Sequence, residues 1–372
     1  KNKDQILPDD EFLRNHWIMY YKYDRKEADA FSKFLLNKRF NAKNIFDKEA
    51  KYPLGFKEIK EYSDSLRESV KYWYLIHNPH DSSFNQEIVE WLQKFDRLGF
   101  SSFTPLLMSA MTKGYNNDAL LDLLKAAEKF NFLIFRVTGR PSNTKNSHFY
   151  RLAHDMYWGN ATINEVIDDI NLNIYGDDKH DPWFSALDFQ KNCRDRFQKD
   201  EGFYSWSGIR YFLYEYELHL QKESGGIQKV DWSDWVARKK DRSIEHIYPQ
   251  SAKKRCWTIH FKFNKKNRDR LLNSLGNLVL ISRSKNSELQ NRCFKEKRKH
   301  LDRYGNHVGF FNGSFSEIEV AEVGRDEEWT PQKIQKRGRK MLRFLEKRWK
   351  VSLEDDNSLL NINDILGIDF DL

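Results

Sequence analysis

Two nearby stretches decide the fold: residues 242–251 read RSIEHIYPQS, and residues 274–299 read SLGNLVLISRSKNSELQNRCFKEKRK. The alternation over residues 243–248 predicts a short strand. Pro249 ends this strand, because proline has no N–H to give to a neighbouring strand. After a Gly-Asn turn signal, the apolar residues 278–281 predict a second strand.

A helix is predicted directly after the second strand. Ser282 or Ser284 is its N-cap, because a serine hydroxyl accepts a hydrogen bond from the first helical turn. Leu289, Cys293 and Phe294 would lie on one face of this helix at helical spacing. The order of elements predicts a β-β-α unit.

This unit brings three polar residues, Glu245, His246 and Asn286, to the place where a strand end and a helix start face one another. Carboxylate and amide oxygens suit a hard divalent cation such as Mg²⁺. An imidazole, with an unperturbed pKa of about 6.5, is suited to taking a proton from water. Because adjacent strand residues point to opposite faces, one shared site requires a twist or a bulge there. These are the groups that metal-assisted phosphodiester hydrolysis uses.

Four segments occur in order within these stretches: EHIYPQ (245–250), LGNL (275–278), KN (285–286) and N-x-x-F-x-x-K (291–297). Together they resemble the HNH nuclease domain at the C-terminal end of GmrSD-type restriction proteins. SspE-like phosphorothioate-sensing nucleases are among these relatives. The pattern is also similar to the HNH domain of RNA-guided CRISPR effectors.

The resemblance implies a role for each matching residue. It implies that His246 is the general base and that Glu245 and Asn286 bind the metal, Mg²⁺ or Mn²⁺. Asn277 would orient the hairpin or the base. The implied activity is nicking or cleavage of double-stranded DNA in bacterial restriction of foreign or modified DNA.

Basic residues are concentrated around the same stretches. Residues 238–303 contain 20 Lys or Arg against 6 Asp or Glu, a local net charge of +14 in a chain whose total is +8. Such a patch is typical of proteins that bind nucleic acid. Residues 251–273 are interpreted as a long loop that lies along the phosphate backbone. The candidate phosphate contacts are Lys253, Lys254, Arg255, Lys265, Lys266, Arg268, Arg283, Lys285 and Lys297.

Two other functions are compatible with the residues. A catalytically inactive HNH module would bind DNA without cleaving it. Alternatively, the helical part would be a scaffold for partners while the basic module binds structured RNA.

The rest of the chain is predicted to form successive helices. Apolar residues recur at spacings of three and four, for example Phe56, Ile59, Tyr62 and Leu66. Helices are predicted over residues 87–98, 103–112, 118–130, 148–158, 163–174, 183–197 and 208–222.

The predicted fold class is mainly α. A multi-helix domain (1–230) precedes a β-β-α-metal nuclease module (231–350), whose closing helix begins at Thr330-Pro331. The acidic tail (351–372) either docks on the helical part or is partly disordered.

Composition bounds the cellular context. No stretch approaches 18 apolar residues and no signal peptide is recognisable, so we expect a cytoplasmic protein without a membrane span. Cys193, Cys256 and Cys293 lack C-x-x-C spacing and are expected to be free thiols.

The resemblance also concerns what precedes the chain. GmrSD-type relatives carry an N-terminal nucleotide-hydrolysing domain with a D-G-Q-Q-R motif, which this sequence lacks. We therefore expect this domain to belong to a longer chain of which the sequence is a part. A homo-oligomer remains open.

Overall fold

The structure is a computed structural model that describes residues 7–26, 31–47, 49, 53–99, 101–230, 232, 242–354 and 360–372. The chain divides into two compact units. The first contains residues 1–135 and 140–183, and the second contains residues 136–139 and 184–372. In their described residues both units are helical apart from one two-stranded sheet, which confirms the prediction of a mainly α chain.

The described residues of the first unit form helices and the segments that connect them. Its helices are α1 (Asp9–Tyr20), α2 (Phe31–Lys33) with the π-helical Phe34–Arg39, α3 (Ala42–Phe46), α4 (Phe56–His77), α5 (Gln86–Leu98), α6 (Thr104–Thr112), α7 (Asn117–Phe130), α8 (Asn146–Trp158) and α9 (Ile163–Tyr175). Local signals start several of them. Asn116 accepts a hydrogen bond from the Ala119 N–H at the start of α7, and Thr162 with Glu165 forms a capping box at α9.

Helix α6 lies at the centre of this unit. Its sequence TPLLMSAMT is apolar on all sides, and a helix with that composition must be buried. It packs against α1, α4 and α8. The buried rings of Phe103, Phe130 and Phe149 contact one another beside it, with centroids 4.8–5.9 Å apart.

The second unit contains the sheet. Its elements are α10 (Ala186–Gln198), α11 (Ile209–Ser224), β1 (Arg242–His246), α12 (Arg255–Thr258), α13 (Lys265–Asn273), β2 (Leu278–Ser282), α14 (Arg283–Leu289), α15 (Phe294–Lys299), α16 (Phe315–Val323), α17 (Pro331–Trp349) and α18 (Ile362–Ile365). Short 3₁₀ turns occupy Leu275–Asn277 and Phe310–Asn312. Residues 233–241, at the start of the predicted nuclease module, lie outside the described residues.

Strands β1 and β2 are antiparallel and pair Glu245 with Val279 and His246 with Leu278. The 3₁₀ turn before β2 packs tightly on α17. A Cβ on Gly276 would overlap the carbonyl oxygen of Ile334 in that helix, so only glycine allows this approach. The buried Arg337 of the same helix donates hydrogen bonds to the carbonyl oxygens of Gly276 and Leu278. Helix α17 therefore holds the hairpin in place.

Two predictions for the hairpin region are wrong. Residues 251–273 are not one extended loop, because they contain α12 and α13 and bury Trp257 and Phe261. The helix after β2 begins at Ser282 as predicted but ends at Leu289. Gln290 adopts φ +39°, outside helical geometry, and Cys293 starts a separate helix, α15.

The cysteine prediction is also wrong for two of the three residues. Cys256 and Cys293 form a disulfide that ties α12 to the start of α15. Only Cys193 is a free thiol, and it is buried. The sequence does not reveal the bridge, because 37 positions separate the two cysteines.

The second unit begins earlier than the predicted nuclease module. Helix α11, assigned from sequence to the helical domain, packs on β2 and α16. The tail also belongs to this unit, because α18 packs on α10 and α17 and buries Ile362, Ile365 and Leu366. Among the described helices, none combines the length and apolar composition needed to cross a bilayer.

Candidate active site

The candidate site surrounds the end of β1, where α14 packs against both strands. Glu245 and His246 are buried there, with 8% and 4% of their surface exposed. The register runs through both residues without an extra residue, so β1 has no bulge at this point. Their side chains accordingly contact different elements, Glu245 reaching α15 and His246 reaching α13.

Glu245 forms a buried ion pair with Lys297. The Lys297 Nζ atom donates to Glu245 Oε1 at 2.8 Å and to the backbone carbonyl oxygens of His246 and Ile247 at 3.3 and 3.2 Å. Burial lowers the pKa of Lys297, while the Glu245 carboxylate opposes this change. Lys297 is fully buried, so its interpretation as a phosphate contact is wrong in this structure. Instead, it ties α15 to the end of β1.

His246 is held by the side chain of Asn273, the last residue of α13. The Asn273 Nδ2 atom donates to the Asp200 carbonyl oxygen at 2.8 Å, which turns Oδ1 toward His246 Nε2, 3.1 Å away. Because an amide oxygen only accepts, Nε2 carries the proton and Nδ1 keeps its lone pair. Burial is the main reason that the pKa of His246 falls to about 4, so the ring is neutral at physiological pH.

Tyr204 covers one face of the imidazole. The two ring centroids are 4.7 Å apart with the planes inclined by 33°, and 44% of Tyr204 is exposed. Tyr204 and Asn273 line an open groove of about 340 Å³ together with Gln250 and Lys265. His246 therefore lies directly beneath the wall of a surface groove.

Asn277 is completely buried, and all its hydrogen-bonding atoms are used internally. Oδ1 accepts from the Tyr248 N–H at 2.8 Å and from Trp329 Nε1 at 3.1 Å. Nδ2 donates to the carbonyl oxygens of Tyr248 and Leu272 at 3.0 and 2.9 Å. These bonds join the chain after β1 to the turn before β2.

Residues 188–344 match the family model described as GmrSD restriction endonucleases, C-terminal domain. This part of the chain is similar to the C-terminal domain of GmrSD restriction endonucleases. A search of curated proteins and a search of solved structures each found no significant match. The resemblance read from the sequence is confirmed at the level of this family, while the relationship to SspE-like nucleases stays a prediction.

The metal ligands implied for the GmrSD C-terminal domain are one carboxylate, Glu245, and one amide, Asn286. Asn286 lies in α14, whose N-cap Ser282 accepts from the Lys285 N–H. Within the described part of the chain, no group of three or more His, Cys, Asp or Glu could hold a metal. One carboxylate and one amide fit Mg²⁺, which keeps several waters and uses substrate phosphate as a ligand. They do not fit a cation that requires a complete protein cage.

The candidate phosphate contacts differ in how exposed they are and in whether another residue already pairs with them. Lys285 is mostly buried and pairs with Glu317 at 2.5 Å, and Arg268 donates to the Phe263 carbonyl oxygen at 2.5 Å. Lys254 and Lys265 are exposed and pair with Glu296 and Asp269 at 3.6 and 3.2 Å. The remaining candidates are exposed: Lys253, Arg255, Lys266 and Arg283.

Sequence reasoning missed Asn273 and Tyr204. Asn273 falls within the segment that the sequence predicts to be a loop, and no pattern links it to His246, 27 positions earlier. Tyr204 precedes the motif by about 40 residues and belongs to an aromatic-rich segment that reads as core. Lys297 belongs to the N-x-x-F-x-x-K segment that carries the family resemblance, but this segment does not show that the lysine side chain is buried.

Proposed function

We propose that the chain is a metal-dependent DNA endonuclease of the HNH type, acting in restriction with His246 as the general base. The family match supports the nuclease class. The observation that carries the finer proposal is the state of His246: a neutral ring at a strand end beside a groove, with its proton on Nε2. A ring in that state presents Nδ1 as a base.

In the proposed reaction, His246 Nδ1 accepts a proton from a water molecule aligned with the scissile phosphorus. The water oxygen forms a bond to phosphorus, and the bond from phosphorus to the 3′-oxygen breaks. A base with a pKa near 4 is weak, and the negative charge of a bound phosphate raises this pKa toward neutrality. General-base assistance contributes roughly 10²–10⁴-fold to such reactions.

Glu245 and Asn286 are the residues that would hold Mg²⁺ or Mn²⁺. A cation held there would supply stabilisation of the negative charge that develops on the phosphate in the transition state. Lys297 contacts only Oε1 of Glu245, which leaves Oε2 outside the ion pair.

The exposed cations Lys253, Arg255, Lys266 and Arg283 are proposed to contact phosphates of the double-stranded DNA substrate. They belong to the basic stretch of residues 238–303. Phosphate contacts of this kind position a protein on DNA but carry no sequence information. Recognition of a particular modification is not assigned to them.

One observation favours the inactive binding module as a second candidate. The only carboxylate of the proposed metal site already has an internal partner, Lys297, and both side chains are buried. A module in that state would keep its basic surface and bind DNA without cleaving it.

Incubation of the chain with supercoiled plasmid distinguishes the two functions. We expect nicked or linear DNA in Mg²⁺ or Mn²⁺, none in EDTA, and a loss of at least about 100-fold in His246→Ala. His260→Ala is the matched control, because His260 is a partly exposed histidine that pairs with Glu328 at 3.6 Å. Binding without nicking in every divalent metal would establish the inactive module, and preference for folded RNA in competition would overturn both.

A further inference from the structure

A tight turn wraps around Asn273 in the second unit. Asp200 adopts φ +58° and Gly202 φ +49°, and a Cβ on Gly202 would overlap the Cβ and carbonyl oxygen of Asn273. The Asn273 carbonyl oxygen also accepts from the Phe203 N–H at 2.9 Å. The turn of residues 200–203 thus fixes the backbone and the side chain of one asparagine.

This asparagine has a defined orientation. Its Nδ2 faces the Asp200 carbonyl oxygen, so the only side-chain atom available to His246 is the acceptor Oδ1. With 7% of its surface exposed, Asn273 is shielded from competing water. A buried amide held at both ends selects one tautomer of its imidazole partner, because the partner nitrogen must donate.

We propose that Asn273 is a positioning residue for His246. It fixes the ring so that Nε2 carries the proton and Nδ1 is open to the water that reacts. This role rests on the proposed function, and it lies outside the β-β-α residues that the family resemblance implies.

The groups around the His246 imidazole favour an uncharged hydrogen-bond partner. Tyr204 covers one face, Glu245 is adjacent in β1, and the Lys297 ammonium donates to the His246 carbonyl oxygen at 3.3 Å. A neutral amide orients the ring without adding a charge to the ion pair already present. If Asn273 only braced the turn at Asp200, the His246 imidazole would keep its orientation and its tautomer when Oδ1 is removed.

Nitrogen-15 NMR of the histidine rings in the full chain, without metal, separates these roles. The His246 signals are assigned by their absence in His246→Ala. We expect a slowly exchanging proton on Nε2 in the wild type, because a buried hydrogen bond protects it from solvent. Asn273→Leu should lose this signal, and Asn273→Asp, which retains an acceptor oxygen, should keep it. Asn267→Leu in the same helix is the matched control.

Plasmid nicking provides the second readout. Asn273→Leu should reduce kcat by roughly 10- to 100-fold with KM unchanged, as expected when an orienting partner is lost. Heat denaturation of Asn273→Leu and Asn273→Asp checks that both variants remain folded at the assay temperature, since each loses the hydrogen bond to the Asp200 carbonyl oxygen. A His246 proton on Nδ1 in the wild type, or an Nε2 signal that persists in Asn273→Leu, overturns the positioning role even if nicking occurs. The other failure is a wild type that shows the expected His246 tautomer but nicks no plasmid in any divalent metal. That result would overturn the proposed nuclease function, and the effect of Asn273 on catalysis would fall with it.

Discussion

The Nζ atom of Lys297 lies 2.8 Å from Oε1 of Glu245 in the interior of the second unit, and the lysine side chain has no exposed surface. The pair joins the end of β1 to α15 across 52 positions of the chain. Removing two opposite charges from water costs free energy, and their mutual attraction offsets this cost only while both partners are present. The pair therefore makes the candidate site sensitive to single substitutions.

Lys297→Met should lower the free energy of unfolding by about 3–5 kcal/mol, because it leaves the Glu245 carboxylate buried without a counter-charge. The double variant Lys297→Met with Glu245→Gln should recover most of this loss. Urea denaturation measures both. Lys295→Met is the control, since Lys295 is exposed and an ion pair in solvent, such as that with Glu327, contributes little to stability. Equal stability of Lys297→Met and Lys295→Met would contradict the prediction.

Asn277→Asp should be strongly destabilising although the two side chains have nearly the same shape. The carboxylate keeps the bonds from Tyr248 and Trp329 but replaces the donor that serves the carbonyl oxygens of Tyr248 and Leu272. Unsatisfied buried acceptors cost about 1–3 kcal/mol each. Thermal denaturation at pH 7 checks this, with Asn291→Asp on the surface of the same unit as the comparison. A melting temperature within a degree of the wild type would refute it.

Reduction of the Cys256–Cys293 disulfide should destabilise the second unit. Closing a loop of 37 residues corresponds to about 4 kcal/mol in the chain-entropy description. Urea denaturation with and without reductant measures this difference. Alkylation of the unfolded, unreduced chain should label only Cys193, whereas labelling of all three cysteines would show that the bridge is absent.

Acid should destabilise the first unit through His16. Burial lowers the pKa of His16 to about 3, whereas the unfolded side chain titrates near 6.5. Between these values the unfolded state binds the extra proton, so the free energy of unfolding falls as pH falls below about 6.5, by up to about 1.4 kcal/mol per pH unit. His16→Phe should reduce this slope in urea denaturation between pH 7 and 4.5, while His80→Gln, at an exposed position, should not. Parallel pH profiles for wild type and His16→Phe would contradict the prediction.

Removal of the exposed lysines Lys253 and Lys266, two of the proposed phosphate contacts, should weaken DNA binding and its dependence on salt. Each lost phosphate contact reduces the slope of log affinity against log salt by about 0.9, so the double alanine variant should lose about 1.8. Arg268→Ala should have a smaller effect, because this guanidinium already donates to the Phe263 carbonyl oxygen. Fluorescence anisotropy at several salt concentrations measures the slope, with Lys57→Ala and Lys60→Ala in α4 as the charge-matched control. An unchanged slope would exclude this surface from the interface.

Part of the fold could be predicted from the sequence because it depends on local interactions. The strand after Gly276-Asn277, the serine cap of α14 and the Thr330-Pro331 start of α17 each depend on residues within one turn or one hairpin of each other. The same holds for the apolar spacing that predicted α4 to α9. The failures in residues 251–273 and after Leu289 came where basic residues dominate and the apolar pattern is sparse.

The sequence by itself determined the order β-β-α, the positions of Glu245, His246, Asn277 and Asn286 within it, and the basic stretch around them, because short-range hydrogen bonding and periodicity encode these features. Only the tertiary structure decided which side chains meet: Lys297 with Glu245, Asn273 with His246, and Cys256 with Cys293. These partners are separated by 27 to 52 positions. Their contact results from packing of whole helices on the hairpin, which no local pattern along the chain records.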